Sequence, residues 1–388
     1  MNYPLAADTW DDQEVAAIMS VVGSGRYTMG PRVKQFENEF AEKFKARHAV
    51  MVNSGSSANL LMIAALCLHP RYNLRPGDEV IVPAVSWSTT FFPVTQYGLK
   101  LVFVDIDVDT LNIDTSKIRD AISSRTKAIF AVNLLGNSCN WSSLYEIAAE
   151  HDLVLIEDNC ESLGATCDGK YLGTMGVMGS FSFFFSHHMQ TMEGGMILTN
   201  DTEIDQYLRS LRAHGWIRDL PDENCIHNKS GDPFEDSFRF VLPGYCVRPL
   251  EMSGAIGSVQ LSKMDAMIQK RRENAEVFKQ AFADIDTVRT QREIGSSSWF
   301  GFSLVLEGVL EGRRKEVIDR LRTAGVETRP IVAGDFTKNP VIKHINHRIA
   351  GRLDAAEYID ANGFFIGNDS RPLEDEIRMV ADILREIR

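Results

Sequence analysis

The chain has 388 residues, 44% of them apolar, and a net charge of -12. This length is sufficient for two packed domains, and the composition is that of a globular protein. The acidic balance argues against a general nucleic-acid or anionic-membrane binder, although a local pocket could still hold an anionic ligand. The N-terminus lacks the features of a signal peptide, and no run approaches the roughly 20 apolar residues of a membrane helix. We therefore expect a cytoplasmic protein without a membrane segment.

The first two-thirds of the chain alternate short apolar runs with helical patterns. The predicted strands are His48–Val52, Glu79–Pro83, Leu101–Asp105, Lys127–Asn133, Leu153–Asp158, Ser180–Phe185 and Gly195–Thr199. Their Val, Ile, Leu and Phe content is typical of strands buried on both faces. The predicted helices between them are Pro31–Phe44, Asp114–Ile122 and Trp141–Glu150. This alternation predicts an α/β layer fold with a mostly parallel sheet.

The pattern changes near Met252. The predicted elements that follow are a long helix Met252–Ala283, a strand Phe302–Leu306, a helix Arg313–Ala324, a strand Thr328–Val332 and a helix Leu373–Ile387. We therefore predict a large domain over residues 1–251 and a smaller α+β domain over residues 252–388. No flexible linker separates them, so we expect them to pack together.

Two segments that follow predicted strands suit an anionic, aromatic ligand. Asn53–Asn59 opens a helix, whose free N–H groups and dipole favour a phosphate, although an ordinary N-cap also explains its serines. Asp158 ends a strand, where open α/β sheets bind ligands, and Glu161 follows three residues later. A carboxylate there can pair with a protonated pyridine nitrogen; the alternative is a capping or solvent-facing Asp. Trp87 offers a flat surface for a flat ring, or simply packs in the core.

Two adjacent histidines, His187 and His188, follow the sixth predicted strand. Imidazole titrates near neutrality and can move a proton in either direction. A metal site is disfavoured, because adjacent side chains seldom converge on one ion and no other cluster has ligand spacing. Arg218, Arg248 and Arg329 could clamp phosphate or carboxylate, although each alone also fits a surface ion pair.

These segments occur in a characteristic order. The chain contains Gly30-Pro-Arg-Val-Lys, Ser54-Gly-Ser-Ser-Ala-Asn, Pro76-Gly-Asp-Glu-Val, Glu157-Asp-Asn-Cys-Glu-Ser, Ser182-Phe through Glu193-Gly-Gly, and Gly244-Tyr-Cys-Val-Arg. Over nearly its whole length it resembles the DegT/DnrJ/EryC1/StrS family of pyridoxal-phosphate sugar aminotransferases. The resemblance implies the type I aspartate aminotransferase fold, with a seven-stranded large domain. It also implies a homodimer with active sites at the interface.

The resemblance also implies roles for individual residues. Asp158 would pair with the pyridine nitrogen, Glu161 would lie near the ring hydroxyl, and Trp87 would stack on the ring. Gly55, Ser56 and Ser182 would hold the cofactor phosphate. The residues expected to bind the substrate are His214, Arg218, Arg248 and Arg329.

The position of the family's cofactor-binding lysine is occupied by His187. Lysine forms a Schiff base with the cofactor aldehyde, whereas imidazole cannot. Pyridoxal or pyridoxamine 5'-phosphate must therefore be held noncovalently, and His187 is the expected catalytic acid/base.

The likeness is greatest to the dehydratase branch of the family. It implies removal of the C3 hydroxyl from GDP-linked 4-keto-6-deoxymannose in colitose and O-antigen biosynthesis, with L-glutamate as amino donor and ammonia released. The family also has an asparagine that reaches the cofactor phosphate across the interface, and here Cys246 replaces it. A thiol is a weak donor, so we expect weaker cofactor binding unless a neighbour substitutes for it.

Three alternatives remain. An iron–sulfur dehydrase acting on a CDP-sugar would need four clustered cysteines. The chain has six scattered cysteines and no C-x-x-C pair, which disfavours both a zinc site and an iron–sulfur cluster. An ordinary aminotransferase is opposed by His187. A catalytically inactive nucleotide-sugar sensor is opposed by the retained Asp158, Glu161 and Trp87.

Overall fold

The computed structural model describes residues 2–387 and contains two main sheets. Their strands, in chain order, are β1 (His48–Val52), β2 (Glu79–Pro83), β3 (Lys100–Val104), β4 (Thr126–Val132), β5 (Val154–Asp158), β6 (Met178–Ser182), β7 (Gly195–Thr199), β8 (Val288–Thr290), β9 (Gly301–Leu306), β10 (Thr328–Arg329), β11 (His347–Ile349) and β12 (Gly363–Gly367). The large sheet has the order β1-β7-β6-β5-β4-β2-β3-β11. Its pairs from β6 to β11 are parallel, and β7 is antiparallel to both of its neighbours. The predicted mostly parallel sheet is confirmed.

The helices, in chain order, are α1 (Asp12–Ser24), α2 (Pro31–Phe44), α3 (Gly55–Leu68), α4 (Ser88–Gln96), α5 (Thr115–Ala121), α6 (Trp141–His151), α7 (Thr202–Arg212), α8 (Pro233–Asp236), α9 (Glu251–Phe282), α10 (Arg314–Thr323), α11 (Asp354–Asn362) and α12 (Glu374–Glu386). The predicted helix Pro31–Phe44 is confirmed as α2, which buries Val33, Phe36, Phe40 and Phe44. The apolar α3 has ten buried positions and packs over the large sheet, which places its first turn beside the carboxyl ends of β5 and β6.

Two predicted strands are too long. The strand predicted as Ser180–Phe185 ends at Ser182, because Phe183 instead donates its N–H to Gly194 O at 2.9 Å and starts a loop. The strand predicted as Thr328–Val332 ends at Arg329. Pro330 has no N–H to continue the ladder, and Val332 adopts a left-handed φ of 49°.

The smaller sheet has the order β8-β9-β12-β10, with every pair antiparallel. It packs against α9, α10 and α12 around a second core, in which the rings of Phe278 and Phe302 stack at 4.3 Å. Two contacts join the C-terminal part of the chain to segments that are distant in sequence. Tyr3 donates its N–H to Gly325 O at 2.9 Å, and β11 pairs with β3 at the edge of the large sheet. The division at residue 251 stays a prediction.

Within residues 2–387, no helix is both long and apolar enough to cross a membrane.

Candidate active site

A cavity of about 820 Å³ opens at the carboxyl ends of the parallel strands. Ligands of open α/β sheets bind at this edge. The sequence-predicted residues that line it are Gly55, Ser56, Trp87, Asp158, Glu161, Ser182, His187 and Arg329. The fold therefore brings together side chains that lie up to 274 positions apart in the sequence.

One end of the cavity is the first turn of α3. Ser54 caps this helix, with its Oγ accepting the N–H of Ser57 at 3.1 Å. Gly55 leaves no room for a side chain, since an added Cβ would lie 2.6 Å from Ser182 Cβ and 2.8 Å from Cys160 Sγ. The free N–H groups of this turn, with the Ser56 and Ser182 hydroxyls nearby, form a cradle suited to a phosphate. The N-cap is confirmed, and phosphate binding by the same turn stays a prediction.

Asp158 is 5% exposed, and its hydrogen-bond partners are neutral. Its Oδ2 accepts from Asn59 Nδ2 and from Thr90 Oγ1, both at 2.8 Å. Its Oδ1 accepts the N–H of Cys160 at 3.1 Å. A buried carboxylate without a cationic partner is costly unless a ligand supplies the opposite charge.

Glu161 lies beside Asp158 on the loop after β5. Its Oε2 accepts the N–H of Leu135 at 2.9 Å. Leu135 has a left-handed φ of 52°, a conformation uncommon outside glycine, Asn and Asp. Burial, with the charge of Asp158 adding to it, raises the pKa of Glu161 to about 7. Near neutral pH this carboxyl can both accept and donate a proton.

Trp87 precedes α4 and lines the cavity with a side chain that is 59% exposed. An apolar indole of this size is usually more buried. The exposed face fits a surface that a flat ring would cover, and it does not fit the alternative of a core tryptophan.

His187 lies on the loop that follows β6, and its backbone N–H donates to Phe184 O at 2.9 Å. The imidazole contacts the Phe300 ring edge-to-face, with centroids 5.3 Å apart. Its Nδ1 has no hydrogen-bond partner among residues 2–387. Burial is the main cause that lowers the pKa of His187 to about 4. The ring is therefore neutral near pH 7 and able to accept a proton.

His188 has a different environment. It is 1% exposed, and its Nε2 lies 3.2 Å from Ser298 O, on the loop before β9. It does not line the cavity. The two adjacent histidines therefore point to different surroundings, and only His187 faces the site.

Three of the residues expected to bind substrate lie elsewhere. His214, Arg218 and Arg248 surround the indole of Trp216 and are absent from the cavity lining. The Arg218 guanidinium is 3.7 Å from the Trp216 ring centroid. Arg248 donates to Cys246 Sγ at 3.6 Å. A role for this group in binding substrate stays a prediction, since it is not part of its own chain's cavity.

The sequence interpretation gave no role to Asn59, Thr90 and Phe300, although Asn59 lies in the motif Ser54-Gly-Ser-Ser-Ala-Asn. A signal for Asn59 existed, because a single amide within the otherwise apolar α3 needs a buried partner. Phe300 had no such signal, since a Phe beside a strand is ordinary core.

The described chain contains no group of three His, Cys, Asp or Glu side chains placed to hold a metal ion. Cys225 and Cys246 are both exposed and free.

A sequence model of the DegT/DnrJ/EryC1/StrS aminotransferase family matches residues 8–385. The chain is 52% identical to GDP-4-keto-6-deoxy-D-mannose 3-dehydratase of Escherichia coli O55:H7, over 99% of this chain and 100% of the relative. It is also 52% identical to the enzyme of that name from Yersinia pseudotuberculosis, over 100% of this chain and 99% of the relative. A crystal structure of GDP-4-keto-6-deoxymannose-3-dehydratase with a trapped PLP-glutamate geminal diamine superposes with a TM-score of 0.97 and 52% identity. That match covers 99% of this chain and 100% of the other.

Proposed function

The chain belongs to the DegT/DnrJ/EryC1/StrS aminotransferase family, and we propose that it is a pyridoxal-phosphate-dependent GDP-4-keto-6-deoxy-D-mannose 3-dehydratase. The reaction consumes the GDP-sugar and L-glutamate and yields GDP-4-keto-3,6-dideoxy-D-mannose, 2-oxoglutarate and ammonia. The C3 oxygen and the glutamate amino group are thus both removed, and the atoms balance. The observation that carries the proposal is the neutral imidazole of His187 in a cavity with no lysine in its described lining.

The residues fit pyridoxal or pyridoxamine 5'-phosphate. The glycine-dependent cradle at Gly55 suits the phosphate, and the buried carboxylate of Asp158 suits a protonated ring nitrogen. Trp87 has the exposed face that a stacked ring would cover. When bound, the cofactor supplies an amine that condenses with the C4 ketone and a ring that accepts electrons. These side chains hold it noncovalently.

His187 carries the proton transfers. Its neutral ring accepts a proton at a nitrogen, and the imidazolium so formed donates a proton to the departing C3 hydroxyl. Burial destabilises the imidazolium, which makes it a strong acid for that second step. A lysine at this position would instead direct the chemistry toward transamination.

The product identifies the reaction. Purified enzyme is incubated with cofactor, L-glutamate and GDP-4-keto-6-deoxymannose, and the sugar product is analysed by mass spectrometry together with free ammonia. We expect a product that has lost one oxygen and gained no nitrogen, with stoichiometric ammonia. A C4-amino sugar would indicate an aminotransferase, and absence of turnover would indicate an inactive sensor. A CDP-linked substrate in a parallel reaction tests the nucleotide, and preference for it would contradict the GDP assignment.

We further propose a homodimer in which each subunit contributes to the other's active site. The support is the group around Trp216, in which Arg218 and Arg248 lie outside their own cavity beside the exposed Cys246. Strongly exposed apolar side chains accompany it, with Phe240 58% and Leu250 55% exposed. Such a surface is typical of one covered by a partner.

Complementation tests this arrangement. Two differently tagged variants, His187→Asn and Arg248→Ala, are co-expressed, and the mixed dimer is isolated through both tags. We expect each homodimer to have low activity and the mixed dimer to regain up to about half of the parent dimer's activity, because one of its two sites is intact in both contributions. A mixed dimer as inactive as its parents, or a monomer in analytical ultracentrifugation, would contradict shared sites.

We also propose a cytoplasmic location, which the six free cysteines favour.

A further inference from the structure

Two neutral donors converge on one oxygen of Asp158. Asn59 reaches Oδ2 from α3, and Thr90 reaches the same oxygen from α4, each at 2.8 Å. The other oxygen, Oδ1, accepts the Cys160 N–H at the longer distance of 3.1 Å. The carboxylate is therefore fixed from one side.

A second tier of hydroxyls supports the two donors. Asn59 Nδ2 also donates to Thr89 O at 3.3 Å, and a carbonyl oxygen can only accept, so the amide nitrogen faces Asp158 and Asn59 Oδ1 accepts from Ser180 Oγ at 2.6 Å. Ser86 Oγ lies 2.8 Å from Thr90 Oγ1. Since the single hydroxyl proton of Thr90 is directed to Asp158, Ser86 must donate to Thr90. Two series of bonds, from Ser180 through Asn59 and from Ser86 through Thr90, therefore run toward the carboxylate.

These groups are too deeply buried for water to do the same work. Asn59 and Ser86 are 1% exposed, and Thr90 and Ser180 are 0% exposed. Hydrogen bonds to a charged acceptor in such surroundings are stronger than neutral ones, and they stabilise the ionised form over the protonated form. An oxygen that accepts two bonds is also a poor site for a proton. A purely structural role would not need a polar side chain at position 59, where the neighbouring helix positions are apolar.

We propose that Asn59 and Thr90 are positioning residues that hold the Asp158 carboxylate aimed at the ring nitrogen of the cofactor, with Ser86 and Ser180 orienting the two donors. This inference rests on the proposed function, because it takes from it the pairing of Asp158 with that nitrogen. It extends the proposal by assigning the cofactor's protonation state to a four-residue network.

The experiment measures the cofactor rather than turnover. Pyridoxamine 5'-phosphate labelled with ¹⁵N in the ring is added to the full-length protein and to each variant. Two quantities are recorded: the dissociation constant from equilibrium dialysis, and the ¹⁵N chemical shift, which separates the protonated from the neutral ring. The variants are Thr90→Val and Asn59→Leu, which keep the shape but remove the donor. Thr90→Ser keeps the hydroxyl and is the matched control for Thr90→Val.

We expect Thr90→Val and Asn59→Leu each to raise the dissociation constant roughly 10- to 100-fold, the effect of removing one hydrogen bond to a charged group. The ¹⁵N shift should move toward that of the neutral ring in both. Thr90→Ser should bind within about threefold of the parent and retain its shift. Thermal melting identifies any variant that fails to fold. If Asn59→Leu does not fold, the pair Thr90→Ser and Thr90→Val still decides the question.

Parent-like affinity and shift in both Thr90→Val and Asn59→Leu would overturn the inference, as would equal behaviour of Thr90→Ser and Thr90→Val. Asp158→Asn separates the two proposals. If Asp158→Asn shifts the ¹⁵N signal while the donor variants do not, only the positioning role fails. If Asp158→Asn has no effect on the signal, the assignment of Asp158 to the ring nitrogen fails as well.

Discussion

The two ends of the cavity hold their functional side chains in opposite ways. At the acidic end, Asp158 receives hydrogen bonds on both oxygens, and its donors are themselves oriented by further hydroxyls. At the histidine end, the imidazole of His187 packs against Phe300, and its Nδ1 has no polar partner among residues 2–387. The carboxylate of Asp158 is held by hydrogen bonds, whereas the imidazole of His187 is held by an aromatic contact.

This difference matches two kinds of chemical task. A group that must keep one charge throughout a reaction benefits from fixed donors, because they penalise any change of protonation. A group that must gain and lose a proton benefits from having no partner that favours one state or one tautomer. This difference supports the static role proposed for Asp158 and the proton-transfer role proposed for His187.

Replacement of the imidazole should have the largest effect. We expect His187→Asn to lower the rate of C3 deoxygenation about 10³-fold, a typical contribution of a general acid/base. Its affinity for pyridoxamine 5'-phosphate should stay within about threefold of the parent, because the phosphate cradle and Asp158 lie elsewhere. The measurements are turnover by mass spectrometry and equilibrium dialysis. His188→Asn is the matched control, and an equal loss of activity there would remove the distinction between the two histidines.

A substitution in the phosphate cradle should have the second-largest effect, on cofactor affinity rather than on the rate of the reaction. In Gly55→Ala the new Cβ would lie within 3 Å of both Ser182 and Cys160, so the first turn of α3 must shift. We expect cofactor affinity to fall about 30-fold, since the shift displaces N–H groups that bind phosphate. Gly23→Ala in α1 is the control, because nothing lies within 4 Å of its added Cβ. Unchanged affinity in Gly55→Ala would place the phosphate somewhere else.

Substitution of Phe300 tests whether its aromatic contact with His187 sets the pKa of that imidazole. Burial holds the pKa of His187 near 4, so the parent's activity should stay level on acidification and fall only as the pH approaches that value. Phe300→Leu removes the ring contact and admits water, which should raise this pKa toward 6.5 and move the acid limb of kcat up by about one pH unit. Phe365→Leu, at another wall of the same cavity, is the control. An unmoved acid limb in Phe300→Leu would show that the aromatic contact does not set the titration.

Replacement of Glu161 should have the smallest effect, and this effect is on the stability of the folded protein. Burial raises its pKa to about 7, above the ordinary 4.5, so the folded protein holds this proton more tightly than the unfolded chain does. Stability from this group is present below pH 4.5 and is lost as the pH rises through 7. The melting temperatures of cofactor-free Glu161→Gln and of the cofactor-free parent are therefore compared at pH 5 and at pH 8.5. The melting temperature of the variant minus that of the parent should be about 2 °C larger at pH 8.5 than at pH 5. The opposite trend in calorimetry would mean that the Leu135 hydrogen bond outweighs burial.

Much of this site could be predicted from the sequence because its parts have local signatures. Gly55, Asp158 and His187 each follow a strand-like run, and strand ends of a parallel sheet lie together whatever the details of packing. The exposure of Trp87 and the role of Thr90 had no such signature, and the amide of Asn59 indicated a buried partner without identifying it. Asn59 and Thr90 lie 31 positions apart on different helices, and only the packing of those helices brings both onto one oxygen.

The sequence by itself determined where the seven central strands lie along the chain, that a long helix begins near residue 252, and that His187 stands where the family has lysine, because these depend on periodicity and residue identity along the chain. Only the tertiary structure decided that β11 joins the large sheet, that His188 turns away toward Ser298, and that Arg218 and Arg248 lie outside their own cavity. Each of these depends on contacts between segments far apart in sequence, and a local pattern carries no information about which distant partner a residue meets.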